Sequence, residues 1–149
     1  MEIIVAAVGR MKAGPARDLW DDYAKRIGWN LTLREVEEKR PLAGTELKVR
    51  EADLLRKALP ERTYLVSLDA GGRTIESPTF ARQMNDWQER GTITFLVGGA
   101  DGLDATLLSQ SSYVLSLGAM TWPHMLARVM LIEQIYRAQC ILTNHPYHR

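Results

Sequence analysis

The sequence predicts a single α/β domain, residues 1–149, built on a mainly parallel β-sheet with helices on both faces. Short apolar runs rich in β-branched residues alternate along the chain with longer segments of helical period. No repeat, low-complexity run or linker interrupts this alternation, and 149 residues is an ordinary length for one domain. Strands that alternate with helices pair in parallel, because each helix returns the chain to the start of the next strand.

Five segments are predicted to be strands. The first is an apolar run without a basic start, too short for a signal peptide. The third is expected to run into a turn at Asp69–Gly72. In chain order the predicted strands are Ile3–Val8, Leu31–Val36, Tyr64–Leu68, Thr92–Val97 and Tyr113–Leu117.

Five helices are predicted between and after these strands. Leu19 and Tyr23 lie four residues apart and predict the inward face of the first helix. Ser77 is expected to cap the third helix with Pro78 at its first helical position, and Gly91 fits its end. In chain order the predicted helices are Pro15–Ile27, one within Leu42–Leu59, Ser77–Arg90, Ala105–Ser109 with Asp101 and Asp104 as its expected caps, and Pro123–Leu142.

Composition excludes several classes of protein. The lone cysteine, Cys140, cannot form an intramolecular disulfide and is expected as a buried thiol in a reducing, cytoplasmic setting. One cysteine and three scattered histidines give no zinc spacing, so no metal is expected. The uncharged stretch Ala105–Ala127 contains too many polar residues for a membrane span, so no membrane partner is expected.

The charge distribution says little about partners. The net charge is only +1, whereas proteins that bind RNA on their own usually show a basic surface. All five lysines lie at or before Lys57, so an electrostatic footprint would involve the N-terminal half. A normally solvated surface explains the same distribution equally well.

Three predicted strand ends lead into unusual loops, Leu68–Gly72, Gly98–Gly102 and Leu117–Trp122. Ligands of open parallel sheets bind beyond the carboxyl ends of the strands, so neighbouring loops would converge on one pocket. The glycines of the second loop allow close approach of a ligand, although a tight turn explains them too. The third loop carries no charge, and its backbone groups can bind the edge of a flat ring such as adenine. Packing against the last helix is the alternative interpretation of that loop.

The common catalytic motifs are absent. The sequence contains no phosphate-binding G-x-x-x-x-G-K-[ST], no G-x-G-x-x-G after a strand and no G-x-S-x-G. The C-terminal tail, Thr143–Arg149, is unusual because it combines Asn, two His, Tyr and Arg, side chains that stack on bases and contact phosphates. An ordinary polar chain end is the alternative.

At these residues the sequence resembles the bacterial ribosomal RNA large subunit methyltransferase H family. The resemblance covers the whole chain and is most specific in the second half. The matching segments are Ile3–Gly9, Leu68-Asp69, Phe95–Leu103, Leu117–His124, Arg128-Val129, Glu133–Ala138 and Asn144–Arg149.

The resemblance implies a fold, an activity and partners. Members are SPOUT methyltransferases whose C-terminal part forms a trefoil knot that holds S-adenosylmethionine. They are homodimers in which the tail of one subunit completes the partner's site. Their substrate is the pseudouridine in helix 69 of 23S rRNA, methylated at N3 in the assembled 70S ribosome, and no metal is required. The implied donor-binding residues are Leu68, Gly99, Leu117, Gly118, Ala119, Met120, Thr121 and Trp122.

Methylation at N3 of the pseudouridine requires that this nitrogen lose its proton. A base of near-neutral pKa is therefore expected. His148 and His145 on the tail are the candidates, followed by His124 beside the third loop, and Arg149 is expected to stabilise the resulting anion. Asn144, Tyr147, Arg128 and His124 are the expected substrate contacts.

Three other functions fit the residues. One is a SPOUT enzyme that acts on another RNA or another base atom. The second is a ribosome-binding module without catalysis. The third is a small-molecule α/β enzyme with a nucleotide cofactor.

Overall fold

The computed structural model describes all residues, 1–149, and contains five strands and five α-helices. The strands are β1 (Glu2–Val8), β2 (Asn30–Val36), β3 (Thr63–Arg73), β4 (Thr92–Val97) and β5 (Tyr113–Leu115). The helices are α1 (Pro15–Arg26), α2 (Gly44–Lys57), α3 (Ser77–Trp87), α4 (Ala105–Gln110) and α5 (His124–Leu142), and a 3-10 turn, Gln88–Arg90, continues α3.

All five strands form one parallel sheet in the order β2-β1-β4-β3-β5. The predicted fold class is therefore confirmed. In the central pair Val5 of β1 lies opposite Phe95 of β4, and on its other side opposite Leu33 of β2. Because every strand runs the same way, the loops that follow the strands emerge at one edge of the sheet.

Alternate residues of the central strands face two separate apolar layers. Ile3, Val5 and Ala7 of β1 join the larger core, which α1, α3 and α5 cover. Ile4 and Ala6 join a smaller core covered by α2 and α4. β1 is apolar along nearly its whole length, as expected for a strand that is buried on both faces of a sheet. Its position between β2 and β4 provides that burial.

Several predicted boundaries differ from the structure. The turn expected at Asp69–Gly72 is instead a bulged continuation of β3, which pairs with β5 both before and after it. Ser77 does not cap α3: Glu76 holds the capping position, and the Ser77 hydroxyl donates to Gln134 Oε1 at 2.6 Å. Leu19 is not inward but 47% exposed, and Trp20 beside it is buried instead.

Two other expectations, on Asp104 and Cys140, are confirmed. Asp104 caps α4, since its side chain accepts a hydrogen bond from the Thr106 amide at 3.0 Å. Cys140 is a buried free thiol in α5. The uncharged stretch from residue 105 to 127 divides among α4, β5, a loop and the start of α5, and none of the helices is long and apolar enough to span a membrane.

Candidate functional site

Three loops at the carboxyl edge of the sheet line one cavity of about 280 Å³. They follow β4 and β5 and include the bulge of β3, so the predicted convergence of the three segments is observed. The volume is near the lower end of roughly 300–1,000 Å³ for small-molecule pockets. The lining residues are Leu68, Asp69, Ala70, Val97, Gly98, Gly99, Ala100, Asp101, Gly102, Leu117, Gly118, Met120, Thr121, Trp122, His124 and Ala127.

Glycines shape two walls of this cavity. A Cβ on Gly98 would lie 2.6 Å from the backbone carbon of Gly102, so the loop after β4 can close on itself only with glycine there. Gly118 has a φ of +120° and nothing within 4 Å of the position of a Cβ. Its backbone is therefore accessible to a ligand at close range, in a conformation that L side chains rarely adopt.

A buried serine joins the loop after β5 to the bulge of β3. The Ser116 hydroxyl lies 3.1 Å from the carbonyl oxygens of Ala70 and of Gly118, and it accepts from the Gly118 amide at 3.1 Å. The Ser116 amide donates to the Arg73 carbonyl at 2.9 Å. Two walls of the cavity are thus held to each other through one side chain that is itself 5% exposed.

The charge inside the cavity is negative. Asp69 and Asp101 are among its lining residues, whereas no lysine or arginine is. A third carboxylate lies behind the wall: Glu51 Oε2 is 3.2 Å from the position that a Cβ on Gly99 would take. Burial of Glu51, together with the charge of Asp101, raises the pKa of this carboxyl. The cavity suits a cationic ligand better than a phosphate-bearing one.

His124 and Arg128 lie one turn apart at the start of α5, but only His124 lines the cavity. Burial and the nearby Arg128 charge lower the pKa of His124, which favours the neutral imidazole. Arg128 is fully buried; its Nη2 donates to the carbonyls of Val8 at 2.5 Å and Gly9 at 2.8 Å, and its Nη1 to Glu35 at 2.9 Å. Arg128 therefore holds the end of β1 against α5.

The C-terminal tail folds back on its own α5. Tyr147 Oη donates to Glu133 Oε1 at 2.9 Å and lies 3.3 Å from Tyr23 Oη. Burial, the Tyr23 hydroxyl and the Glu133 carboxylate all raise the pKa of Tyr147, so it stays a neutral donor. Arg137 also donates to Glu133, one turn earlier on α5, and its guanidinium lies 4.8 Å from the centre of the Tyr147 ring.

The two tail histidines are held by hydrogen bonds to Nδ1. His148 Nδ1 is 3.3 Å from Arg137 Nη1, and His145 Nδ1 accepts from the Tyr147 amide at 3.2 Å. A guanidinium can only donate, so His148 Nδ1 is the acceptor and its proton is on Nε2 in this arrangement. None of the tail residues, including the exposed Asn144 and Arg149, lines the cavity of its own chain.

A second, larger groove of about 660 Å³ lies against α1, α3 and α5. It is mainly apolar, and it includes the exposed Leu19 together with Tyr23 and Glu133, the two side chains that hold the tail. Leu117 and Gly118 line both the groove and the cavity, so the two spaces meet at the loop after β5.

The structure thus divides the residues predicted from the sequence into three sets. The predicted residues of the three loops, apart from Ala119, line the cavity together with His124. The predicted residues of the tail do not line it, and Arg128 is fully buried beneath the start of α5. The sequence analysis missed Glu51 and Glu35, because charged residues on an amphipathic helix or an outer strand look solvated without knowledge of what packs on them. No group of His, Cys, Asp and Glu side chains lies close enough together to hold a metal ion.

Comparison with known proteins identifies the same methyltransferase family that the sequence resembles. The family model "Predicted SPOUT methyltransferase" matches residues 1–148. Proteins named "Ribosomal RNA large subunit methyltransferase H" from Rhodospirillum centenum and Paramagnetospirillum magneticum are 52% and 51% identical to the chain, over 100% of it and 99% of each relative. The solved structure of a probable methylase family protein from Haemophilus influenzae Rd KW20 has the same fold, with a TM-score of 0.62 at 14% identity over 99% of this chain and 70% of that one.

The chain therefore belongs to the SPOUT methyltransferase family. The resemblance to ribosomal RNA large subunit methyltransferase H proteins, drawn above from the sequence, is confirmed by relatives that match from end to end.

Proposed function

We propose that this protein transfers a methyl group from S-adenosylmethionine to N3 of the pseudouridine in helix 69 of 23S rRNA, within the assembled 70S ribosome. The observation that carries the proposal is that about half of the residues, over the full length of the chain, are identical to those of proteins named for methylation of large-subunit rRNA. The acidic, glycine-walled cavity at the carboxyl edge of the sheet supports it independently.

The charge of the cavity and the backbone groups of its lining suit the proposed donor. S-adenosylmethionine is a cation at its sulfonium and carries an amino group, and Asp69 and Asp101 supply the only formal charges of the lining. The uncharged loop Leu117–Trp122, with Gly118 open to the cavity, presents backbone groups to the edge of an adenine ring. Leu68 and Gly99 complete the set, and Ala119 is assigned to it through the resemblance.

S-adenosylmethionine supplies both the methyl group and its own leaving group. The work of the protein is therefore to hold the target atom in line with the donor, which can contribute roughly 7–11 kcal/mol at best. The Arg128 clamp on Val8 and Gly9 and the Ser116 contacts across the loops fix the cavity walls for that purpose. In this assignment Arg128 acts on the substrate site through the backbone that it positions.

The active site is proposed to be shared between two subunits of a homodimer. The tail of this chain is held on its own α5 and lies outside its own cavity, which supports a tail supplied by another copy. The apolar groove offers the contact surface for that copy, and it adjoins the cavity at Leu117 and Gly118.

Within that composite site the tail is proposed to supply the base. His148 is the first candidate and His145 the second, with Arg149 stabilising the anion of the deprotonated base. Either imidazole can take up a proton once its Nδ1 leaves the donor that now occupies it. Asn144 from the tail and His124 from the cavity wall are the proposed contacts to the nucleotide, whereas Tyr147, whose hydroxyl donates to Glu133, anchors the tail.

The trefoil knot and a cytoplasmic location belong to the same proposal. In support of the knot, the chain leaves β5 at the edge of the sheet and passes the loop after β4. It then starts α5 beside the end of β1, where His124 Nε2 would lie 3.8 Å from a Cβ on Gly9.

The test is methyl transfer from labelled S-adenosylmethionine to 70S ribosomes from cells that lack this protein, with the modified nucleoside identified by mass. N3-methylpseudouridine in helix 69 is the expected product. Transfer to another RNA atom would replace the proposed substrate, and failure to bind the donor by calorimetry would end the proposal. Sedimentation equilibrium tests the dimer, which a monomer at micromolar concentration would contradict.

A further inference from the structure

Six basic residues lie near β1 and β2 at the edge of the sheet that holds the cavity. They come from the loops after these two strands and from the first half of α2, and all three segments emerge at the carboxyl edge of the sheet. The Gly9 amide donates to the Val36 carbonyl at 2.8 Å, so the two loops start side by side. We define the basic rim as Arg10, Lys12, Lys39, Arg40, Lys48 and Arg50.

The rim is continuous with the cavity wall. Gly9, which precedes Arg10, lies beside His124 of the cavity, as the 3.8 Å from a Cβ position on Gly9 to His124 Nε2 shows. At the other end, the charge of Lys48 acts on Glu51, whose carboxylate lies behind Gly99. A polymer whose base reaches the cavity from the side of β1 passes over the rim.

The rim is positive although the whole chain is nearly neutral. Arg10 pairs with Glu37 at 3.5 Å, and Arg40 and Arg50 share Glu38 at 3.0 and 2.9 Å. The side chains of Arg10 and Arg40 are nevertheless 71% and 61% exposed, which leaves them able to reach outward. The three lysines pair with no carboxylate within 4.0 Å.

The other two lysines lie at the opposite edge of the sheet. Lys25 is next to the last residue of α1 and Lys57 is the last residue of α2, and both helices run antiparallel to the strands. Three of the five lysines of this chain therefore lie at the edge of the sheet that holds the cavity. Both remote lysines are exposed, which makes them matched controls for charge removal.

We propose that the basic rim binds the phosphate backbone of the RNA strand that flanks the target nucleotide. The inference rests on the proposed function in taking RNA as the partner, and it adds the surface that receives it. Lysines serve as point charges for phosphates, which occur at every nucleotide and carry no sequence information. The rim thus supplies affinity and register, while the cavity and the tail select the base.

The experiment measures equilibrium binding of the protein to 70S ribosomes by co-sedimentation, without donor, at several salt concentrations. The rim variant is Lys12→Ala/Lys39→Ala and the control is Lys25→Ala/Lys57→Ala, so each removes two exposed lysines. Loss of two phosphate contacts should weaken binding at least tenfold and flatten the plot of log affinity against log salt by about 2. The control should bind like the wild type, and calorimetry should give all three proteins the same affinity for S-adenosylmethionine.

Methyl transfer run in parallel separates this inference from the proposed function. Ribosome binding that depends on the rim lysines supports phosphate binding by the rim, whether or not methyl transfer occurs. Absence of methyl transfer by the wild type would refute only the proposed function. A rim variant with the affinity and salt dependence of the wild type overturns the rim, as does a wild type that does not bind ribosomes. Where transfer occurs, the rim variant should raise KM and leave kcat unchanged.

Discussion

The Tyr147 hydroxyl donates to Glu133 Oε1 at 2.9 Å, and the same carboxylate oxygen accepts from Arg137. This contact ties the tail to the middle of α5 and thereby fixes the direction in which His148 and Arg149 leave the protein. In a homodimer of the proposed kind, the direction of one tail decides whether it reaches the cavity of the other subunit.

Tyr147→Phe should therefore slow methyl transfer while leaving donor binding intact. A hydrogen bond to a charged acceptor is worth roughly 1.5–3 kcal/mol, so its loss allows the tail to detach and should lower kcat/KM about tenfold. Steady-state transfer to ribosomes and calorimetry with S-adenosylmethionine measure the two effects. Tyr113→Phe, on β5, is the control and should leave both unchanged. If Tyr147→Phe lost donor affinity by the same factor as kcat/KM, the variant would have a general structural defect instead of a displaced tail.

Replacement of Arg128 should destabilise the protein more than any exposed charge does. Arg128→Met leaves the Val8 and Gly9 carbonyls without this donor and Glu35 with the Met11 amide alone, and each buried acceptor left unsatisfied costs about 1–3 kcal/mol. Urea denaturation of this variant should show the loss, whereas Arg82→Met on the exposed face of α3 should change the free energy of unfolding by under about 0.5 kcal/mol. If Arg128→Met unfolds at the urea concentration of the wild type, the clamp on β1 is not needed for stability.

Arg128 also marks the limit of what the sequence can predict. The continuous apolar run of β1 and the period of the helices predicted the parallel sheet and its two covered faces, because burial leaves a local pattern in hydrophobicity. The loops after the strands were predicted for a similar reason, since topology alone brings the carboxyl ends of parallel strands together. An arginine looks exposed until its distant partners, here Val8 and Glu35, are known. Likewise, nothing local distinguishes the turn expected at Asp69–Gly72 from the bulge that β5 stabilises.

Alanine at position 118 should weaken donor binding through the shape of the cavity. Gly118 and Gly14 both have a positive φ, +120° and +151°, and neither has an atom within 4 Å of a Cβ position. Both Gly→Ala variants should therefore lose a similar amount of stability, about 1–3 kcal/mol for a strained backbone. Only Gly118 lines the cavity, so only Gly118→Ala should lower the affinity for S-adenosylmethionine, at least tenfold by calorimetry. Equal donor affinity in the two variants would remove Gly118 from the donor site.

Glu51 should make the folded protein less stable as the pH rises. Burial and Asp101 raise the pKa of Glu51 above its ordinary value of 4.5, so the unfolded chain loses this proton first. Stability from this group is fully present below pH 4.5 and is lost as the pH rises through the raised value. Glu51→Gln keeps the shape and removes the ionisation, so its Tm should exceed that of the wild type at pH 8. The difference should shrink towards pH 4.5.

Glu46→Gln, exposed on the same helix, is the control and should show a small difference with no such trend. A Glu51→Gln variant whose Tm is below that of the wild type at pH 8 would mean that the carboxylate stabilises the loop after β4 in its charged form, for example through Lys48.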